Sequence, residues 1–283
     1  MIRVEKKAVV RGKTFVANIE IYSNTAEMIN DLRIRKRTDK RFDDMPQKEL
    51  DVSWHGVSKY EDALKLLHDG YQPVVDQIRQ ELYIKPAASI NGSQKRYYFE
   101  NDVAGFQPVV PMAILGLPNS MINMHIRPIR SKIVDIYYDM SCSWLTSSQT
   151  IIRNGILVLK YINHLEQQGY KVNLYSVQFH CDDDSGDALC VKVKDSNRPL
   201  DLKRISVPIA HTSFFRVLGF DWYSKFPAGK FRRAYGHAFA NNFEEEDLQS
   251  VIHQLLGPNA VYISTECILD GGEKYIKRAL QIK

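Results

Sequence analysis

From Lys132 onward the sequence follows a pattern that few architectures accommodate. Ile133-Val134-Asp135-Ile136-Tyr137-Tyr138 is a β-rich run that stops at Asp139. The loop Met140-Ser141-Cys142-Ser143-Trp144 follows, and then a predicted helix from about 148 to 168 with Ile152, Ile156, Leu159 and Leu165 on one face. Gly169 stops that helix, and residues 172–179 supply the next strand. Strand, long helix and strand make the unit that a right-handed parallel crossover needs. Further on, residues 188–193 read as a short strand at a sheet edge, and a helix is expected at 211–218. Residues 245–256 carry helical spacing through Leu248, Val251, Ile252 and Leu255, and Gly257-Pro258 ends them. A late strand over 260–265 and a last helix over 273–280 complete the alternation. We therefore expect an α/β domain over 129–283 with a mainly parallel, Rossmann-like sheet covered on both faces.

The preceding residues, 1–128, read as an α+β region. Apolar residues alternate at Phe15, Ala17, Ile19 and Ile21, and Arg11-Gly12-Lys13 separates them from Ala8-Val9-Val10, which predicts a hairpin. Asn24 with Glu27 three residues later marks a helix start, as does the capping box Ser58-Lys59-Tyr60-Glu61, whose helix stops at Gly70. Another helix starts at Pro73. The stretch 87–120, broken by Gly105, Pro108, Pro111, Gly116 and Pro118, reads as irregular or as short strands.

No apolar run approaches the roughly 20 residues of a membrane span, and Met1-Ile2-Arg3-Val4-Glu5-Lys6-Lys7 is no signal peptide, so a cytoplasmic protein is expected. Cys142, Cys181, Cys190 and Cys267 form no CxxC pair and match no standard zinc spacing, which points to free thiols in a reducing compartment.

In open α/β sheets ligands sit beyond the carboxyl ends of the strands. Asp139, Ser141 and Ser143 lie there, and one carboxylate with two hydroxyls suits a hard cation such as Mg²⁺ or Mn²⁺. The same residues equally serve as caps for the helix that follows. Asp-x-Ser-x-Ser at the end of a buried strand, followed by a long helix, a glycine and a strand, resembles the opening of a von Willebrand factor A domain. That resemblance implies a metal-ion-dependent adhesion site of Asp139, Ser141 and Ser143, with Thr212 of His211-Thr212-Ser213 as the later threonine. The family's later acidic position is filled here by Glu266 or Asp270, and Cys142 and Trp144 depart from its small-residue context. The segments Ser53-Trp54-His55-Gly56-Val57 and Ala113–Met121 also resemble uncharacterised proteins of tailed bacteriophages and mobile elements, which implies a bacterial host cytosol.

Motifs of enzymatic chemistry are missing from the sequence. There is no P-loop, GxGxxG, GxSxG or HExxH, and no histidine is paired in sequence with a nucleophile, so no catalytic residue is assigned. Lys plus Arg exceed Asp plus Glu by 38 − 33 = 5, a mild basic excess that leans toward a polyanion. The cations cluster: Arg35, Lys36 and Arg37 in one run, Lys95 and Arg96 beside Tyr97 and Tyr98, and Lys230, Arg232 and Arg233 beside Tyr235. Cations along a backbone and aromatic faces under bases are what single-stranded nucleic acid requires.

Three functions follow from these residues. The first expectation is a non-enzymatic nucleic-acid-binding phage-type accessory protein, favouring single strands in replication or transcription, with a protein partner such as a polymerase. The second is a metal-dependent protein-interaction module on Asp139, Ser141, Ser143 and Thr212. The third is a metal-assisted phosphodiesterase or nuclease on the same residues.

Overall fold

The computed structural model describes residues 1–38, 48–83, 95–128, 132–226 and 238–280. At the N-terminus, Arg11 and Gly12 both adopt positive φ, 46° and 80°, as the two central residues of a type I′ turn do. That turn closes β1 (Ile2–Val10) onto β2 (Lys13–Tyr22) as the predicted hairpin. The Asn24 side chain then accepts from the Glu27 amide at 2.9 Å while Glu27 accepts from the Ser23 amide at 2.7 Å. This reciprocal cap starts α1 (Thr25–Ile34), which buries Met28 and Leu32.

Three helices follow: α2 (Val52–His55), α3 (Tyr60–Asp69) and α4 (Gln72–Tyr83). The start of α3 falls one residue later than the expected box. Lys59 occupies the cap position without a side-chain bond, and Ser58 donates instead to Asp62 at 2.8 Å. Residues 95–128 are more ordered than their glycines and prolines suggest. They form a small antiparallel sheet of β3 (Lys95–Asp102), β4 (Gln107–Pro108) and β5 (Met121–Pro128) in the order β3-β5-β4, with α5 (Val110–Ile114) between β4 and β5.

The larger unit begins at β6 (Ile133–Asp139) and continues through α6 (Ser148–Gln167), β7 (Lys171–Cys181) and β8 (Ser185–Lys194). Next come α7 (Leu202–Ala210), a π-helical stretch over Phe214–Gly219, and α8 (Phe220–Ser224). After a 3₁₀ turn at Phe239–Asn242, α9 (Glu245–Leu256), β9 (Ala260–Ser264) and α10 (Thr265–Ala279) complete the fold.

The six-stranded sheet has the order β1-β2-β8-β7-β6-β9. Its pairings β2–β8, β7–β6 and β6–β9 are parallel, and β1–β2 and β8–β7 are antiparallel. The protein is thus mixed α/β with a mostly parallel main sheet. One expectation is corrected: strand β8 is no edge, since it runs for ten residues and pairs with β7 on one side and β2 on the other. Through β2–β8 the N-terminal hairpin belongs to the same sheet as the strands after residue 132.

Alternation along each buried strand divides the core into two layers. Val134, Ile136, Tyr138 and Met140 face a layer made with α3, α4, α6, α7 and α10. Tyr137, Val177, Phe179 and Tyr262 face the opposite layer, closed by Phe239 and by Leu248, Val251 and Ile252 of α9. Among the described residues no helix is long and apolar enough to cross a membrane.

Candidate ligand site at the switch point of the sheet

The strand order reverses at β6. From it, α6 leads to β7 on one side, while the chain reaches β9 on the other side only after α9. In doubly wound sheets ligands bind beyond the carboxyl ends of the strands at such a switch point, and Asp139 is the last residue of β6 there.

Asp139 is fully buried. Its carboxylate accepts from the Ser141 amide at 2.8 Å and from the Tyr262 hydroxyl. Burial lifts the carboxyl to about 7, against the opposing pull of the Tyr262 and Ser141 bonds. Ser141 is buried as well, and its Oγ accepts from the Phe179 amide at 3.0 Å, which ties the loop to β7. The Cys142 thiol is pushed up to about 12 by burial and is no ready nucleophile.

Beyond Cys142 the loop turns outward. The Ser143 amide donates to the Glu266 carboxylate at the start of α10, and the Thr146 amide returns to the Ser143 carbonyl at 3.0 Å. Trp144 and Leu145 sit at the apex of this turn, 68% and 74% exposed. Three groups hold the turn from below. The indole Nε1 of Trp54 donates to the Trp144 carbonyl at 2.9 Å. Arg216 lies over the Trp54 ring at 4.4 Å and donates to the Trp54 carbonyl at 2.8 Å and the Thr146 carbonyl at 2.6 Å. Ser148 donates to the Ser53 carbonyl at 2.7 Å.

Arg216 is itself fully buried and has no carboxylate partner among the described residues. Burial depresses its guanidinium, and the two carbonyls and the indole face take the place of a counter-ion. Gly56 explains why the Trp54 segment can approach so closely. Its φ is +78°, and a Cβ there would meet Thr212 Oγ1 at 2.5 Å and His211 Cε1 at 2.7 Å.

The four expected metal ligands are therefore not presented as a set. Asp139 and Ser141 accept protein hydrogens inside the core, Ser143 Oγ accepts from the Leu145 amide at 3.4 Å, and Thr212 Oγ1 donates to the His55 carbonyl at 3.1 Å. Among the described residues no three His, Cys, Asp or Glu side chains gather as ligands. A hard cation needs several outward oxygen lone pairs, so the donor set as folded does not fit Mg²⁺ or Mn²⁺. Arg216, Trp54 and Tyr262 were not singled out from sequence. The signal for Arg216 is a lone cation inside the apolar run Phe214-Phe215-Arg216-Val217-Leu218.

The basic candidates divide. Arg35 pairs with buried Glu20 at 2.8 Å and with Asp31 at 2.6 Å, and Arg37 pairs with buried Asp221 at 2.7 Å. Burial pushes the Glu20 carboxyl up, but Arg35, Arg3 and the Trp222 indole outweigh it and hold the group below its ordinary value. These two arginines thus neutralise internal carboxylates, while Lys36 is exposed. Lys95, Arg96 and Tyr97 lie on β3, and Tyr98 beside them stacks on His125 with ring centroids 5.5 Å apart. Lys230, Arg232, Arg233 and Tyr235 lie outside the described residues.

Fold and site together define an α/β protein with an aromatic-tipped loop clamped at the switch point of its sheet. The chain belongs to the family described as a domain of unknown function, DUF7192, whose model matches residues 9–267. No curated protein and no solved structure matches it.

Proposed function

We propose that this chain is a non-enzymatic protein-recognition module on a von Willebrand A-like body, with Trp144 and Leu145 as the anchor that enters the partner. The strand order β8-β7-β6-β9 supports the finer fold assignment. It corresponds to strands 3-2-1-4 of a doubly wound sheet, with β8 reversed and the Asp-x-Ser-x-Ser loop leaving the first strand.

One observation carries the functional reading: a 68%-exposed tryptophan on a turn whose flanking carbonyls are bonded by Trp54 and Arg216. Large exposed aromatics dominate the energy of protein interfaces. A turn whose backbone is fixed before binding loses little further backbone freedom on association. Recognition of this kind needs no metal, in keeping with the inward-turned donors of Asp139, Ser141 and Thr212.

Nucleic-acid binding is the competing outcome. It is ranked second because Arg35 and Arg37 already face Glu20 and Asp221. Affinity capture on the full chain separates the two. Wild type and a Trp144→Ala/Leu145→Ser double variant are compared from host extract with nuclease and EDTA present. The expected result is a protein retained by wild type under both treatments and lost with the variant. Retained material that disappears on nuclease treatment, or that both proteins hold equally, refutes the proposal.

A further inference from the structure

Along α6, between α4 and α10, lies a cavity of about 860 Å³, a size that holds small organic molecules. Asn154, Leu157 and Tyr161 line it from positions i, i+3 and i+7 of α6, one face of that helix. Ile268, Gly272 and Glu273 line it from α10. The Tyr161 hydroxyl donates to Glu273 at 2.9 Å and joins the two helices there. At this border the helix of α10 breaks, with Gly272 at φ 54° and ψ −142°.

One side chain of this lining lacks what burial demands. Asn154 is 1% exposed, and its Nδ2 has no hydrogen-bond partner among the described residues. A buried amide donor without an acceptor costs stability, and an apolar side chain of similar shape would not carry that cost. Nearly all buried polar groups in native proteins are bonded. The Asn154 donor therefore marks a place for an acceptor that comes from outside the chain.

The charges around the cavity indicate which acceptor. Arg153 and Lys160 lie about two turns apart on the neighbouring stripe of α6. Both line the cavity, both are exposed, and neither enters a salt bridge among the described residues. Glu273 is the one carboxylate among the described lining residues, and Tyr161 and Lys277, at 2.9 and 3.6 Å, already meet it. The unmatched charge is positive, and Leu157 and Ile268 supply apolar surface beside it.

We infer that this cavity binds a small organic anion, one oxyanion head group on an apolar body. An oxygen of the head group accepts from Asn154, Arg153 and Lys160 supply the counter-charge, and the body lies on Leu157 and Ile268. This site is separate from the Trp144 turn and stands or falls independently of it.

Two fluorescent probes test the inference on the full chain: anilinonaphthalene sulfonate, and phenylnaphthylamine, the same molecule without its sulfonate. Wild type should bind the sulfonate saturably, with a Kd on the order of tens of micromolar. Arg153→Glu should weaken the sulfonate about fivefold or more and leave phenylnaphthylamine within about twofold. Lys171→Glu makes the same charge change at an exposed lysine outside the lining and should move neither probe by more than about twofold. Asn154→Leu should weaken the sulfonate about tenfold, yet unfold in urea at no lower concentration than wild type, because it removes the unpartnered donor. A wild-type chain that does not saturate with the sulfonate below about 1 mM overturns the inference. So does a sulfonate affinity that Asn154→Leu and Arg153→Glu leave unchanged, or that Lys171→Glu weakens equally, since the probe is then held by other apolar surface. An Asn154→Leu chain less stable than wild type would show that the fold itself uses the amide, and overturns it as well.

Discussion

The buried carboxyl of Asp139 makes a quantitative prediction about pH. In the native protein it titrates near 7, and its ordinary value is 3.8. Between those two values the folded chain holds a proton that the unfolded chain has lost. Stability from this group therefore falls as pH rises from about 4 to about 7, and above that the deficit is constant. A shift of roughly three units at about 1.4 kcal/mol each gives a ceiling near 4 kcal/mol. Asp139→Asn removes the ionisation while keeping an oxygen to accept from the Ser141 amide. At pH 5 the unfolded aspartate is already ionised while the native one is not, so the variant should lead wild type by about 1.5 kcal/mol, apart from a pH-independent offset of about 1 kcal/mol from the changed hydrogen bonds. Between pH 5 and pH 8 it should gain about 3 kcal/mol more. Urea unfolding of both proteins at pH 5, 6, 7 and 8 measures this. Asp187, raised to about 7, and His180 and His211, lowered to about 4 by burial, titrate in the same range but cancel in the difference. A difference that does not change with pH, or one that moves against the variant at pH 8, refutes the claim that Asp139 is a neutral, enclosed acid.

Other substitutions probe the supports of the site. Glu20→Gln leaves Arg35 and Arg3 without their buried counter-charge and should cost about 3–5 kcal/mol in urea unfolding; a loss under 1 kcal/mol contradicts the ion-pair account. Because the Glu20 carboxyl is held below its ordinary value, its contribution is present above about pH 4.5 and is lost as pH falls through the native value. Gly56→Ala should cost about 2 kcal/mol or more, from the positive φ and the contact with Thr212; a neutral effect would show that the Trp54 segment moves aside freely. Arg216→Met should speed amide exchange in both 52–57 and 143–147, since one guanidinium bonds both segments; faster exchange in only one of them contradicts the shared clamp. Trp144→Ala removes an exposed ring while leaving its carbonyl bonded to Trp54, and stability should change by no more than about 0.5 kcal/mol.

Much of the fold was legible because its central strands are buried on both faces. Ile133–Tyr138 and 260–264 read as apolar runs, and α6 and α9 showed their helical spacing plainly. The turn at Arg11-Gly12 marked the first hairpin in the same local way. The β2–β8 pairing left no such mark, since it joins residues more than 160 positions apart. Asp187 interrupts β8 with a buried carboxyl bonded to Asn18, which made that strand look short. Alternation failed in β3 and β5 because both carry exposed apolar residues, Phe99 and Met124, where a covered sheet would bury them.

The position of the candidate site was legible too, but not its chemistry. Asp139, Ser141 and Ser143 do leave the first strand at a switch point, yet Tyr262 and the Phe179 amide, 123 and 38 positions away, occupy the oxygens. Arg35 and Arg37 looked like surface with exposed Lys36 between them, and only the partners Glu20 and Asp221 show these two arginines to be internal counter-charges.

The central claim concerns Trp144, and affinity for the captured partner tests it most directly. Titration calorimetry of that partner against wild type and Trp144→Ala, each with and without EDTA, should show a loss of about 2 kcal/mol, roughly 30-fold in Kd, for the variant. EDTA should leave both values unchanged. Equal affinity of the two proteins, or binding that EDTA abolishes, would contradict the account.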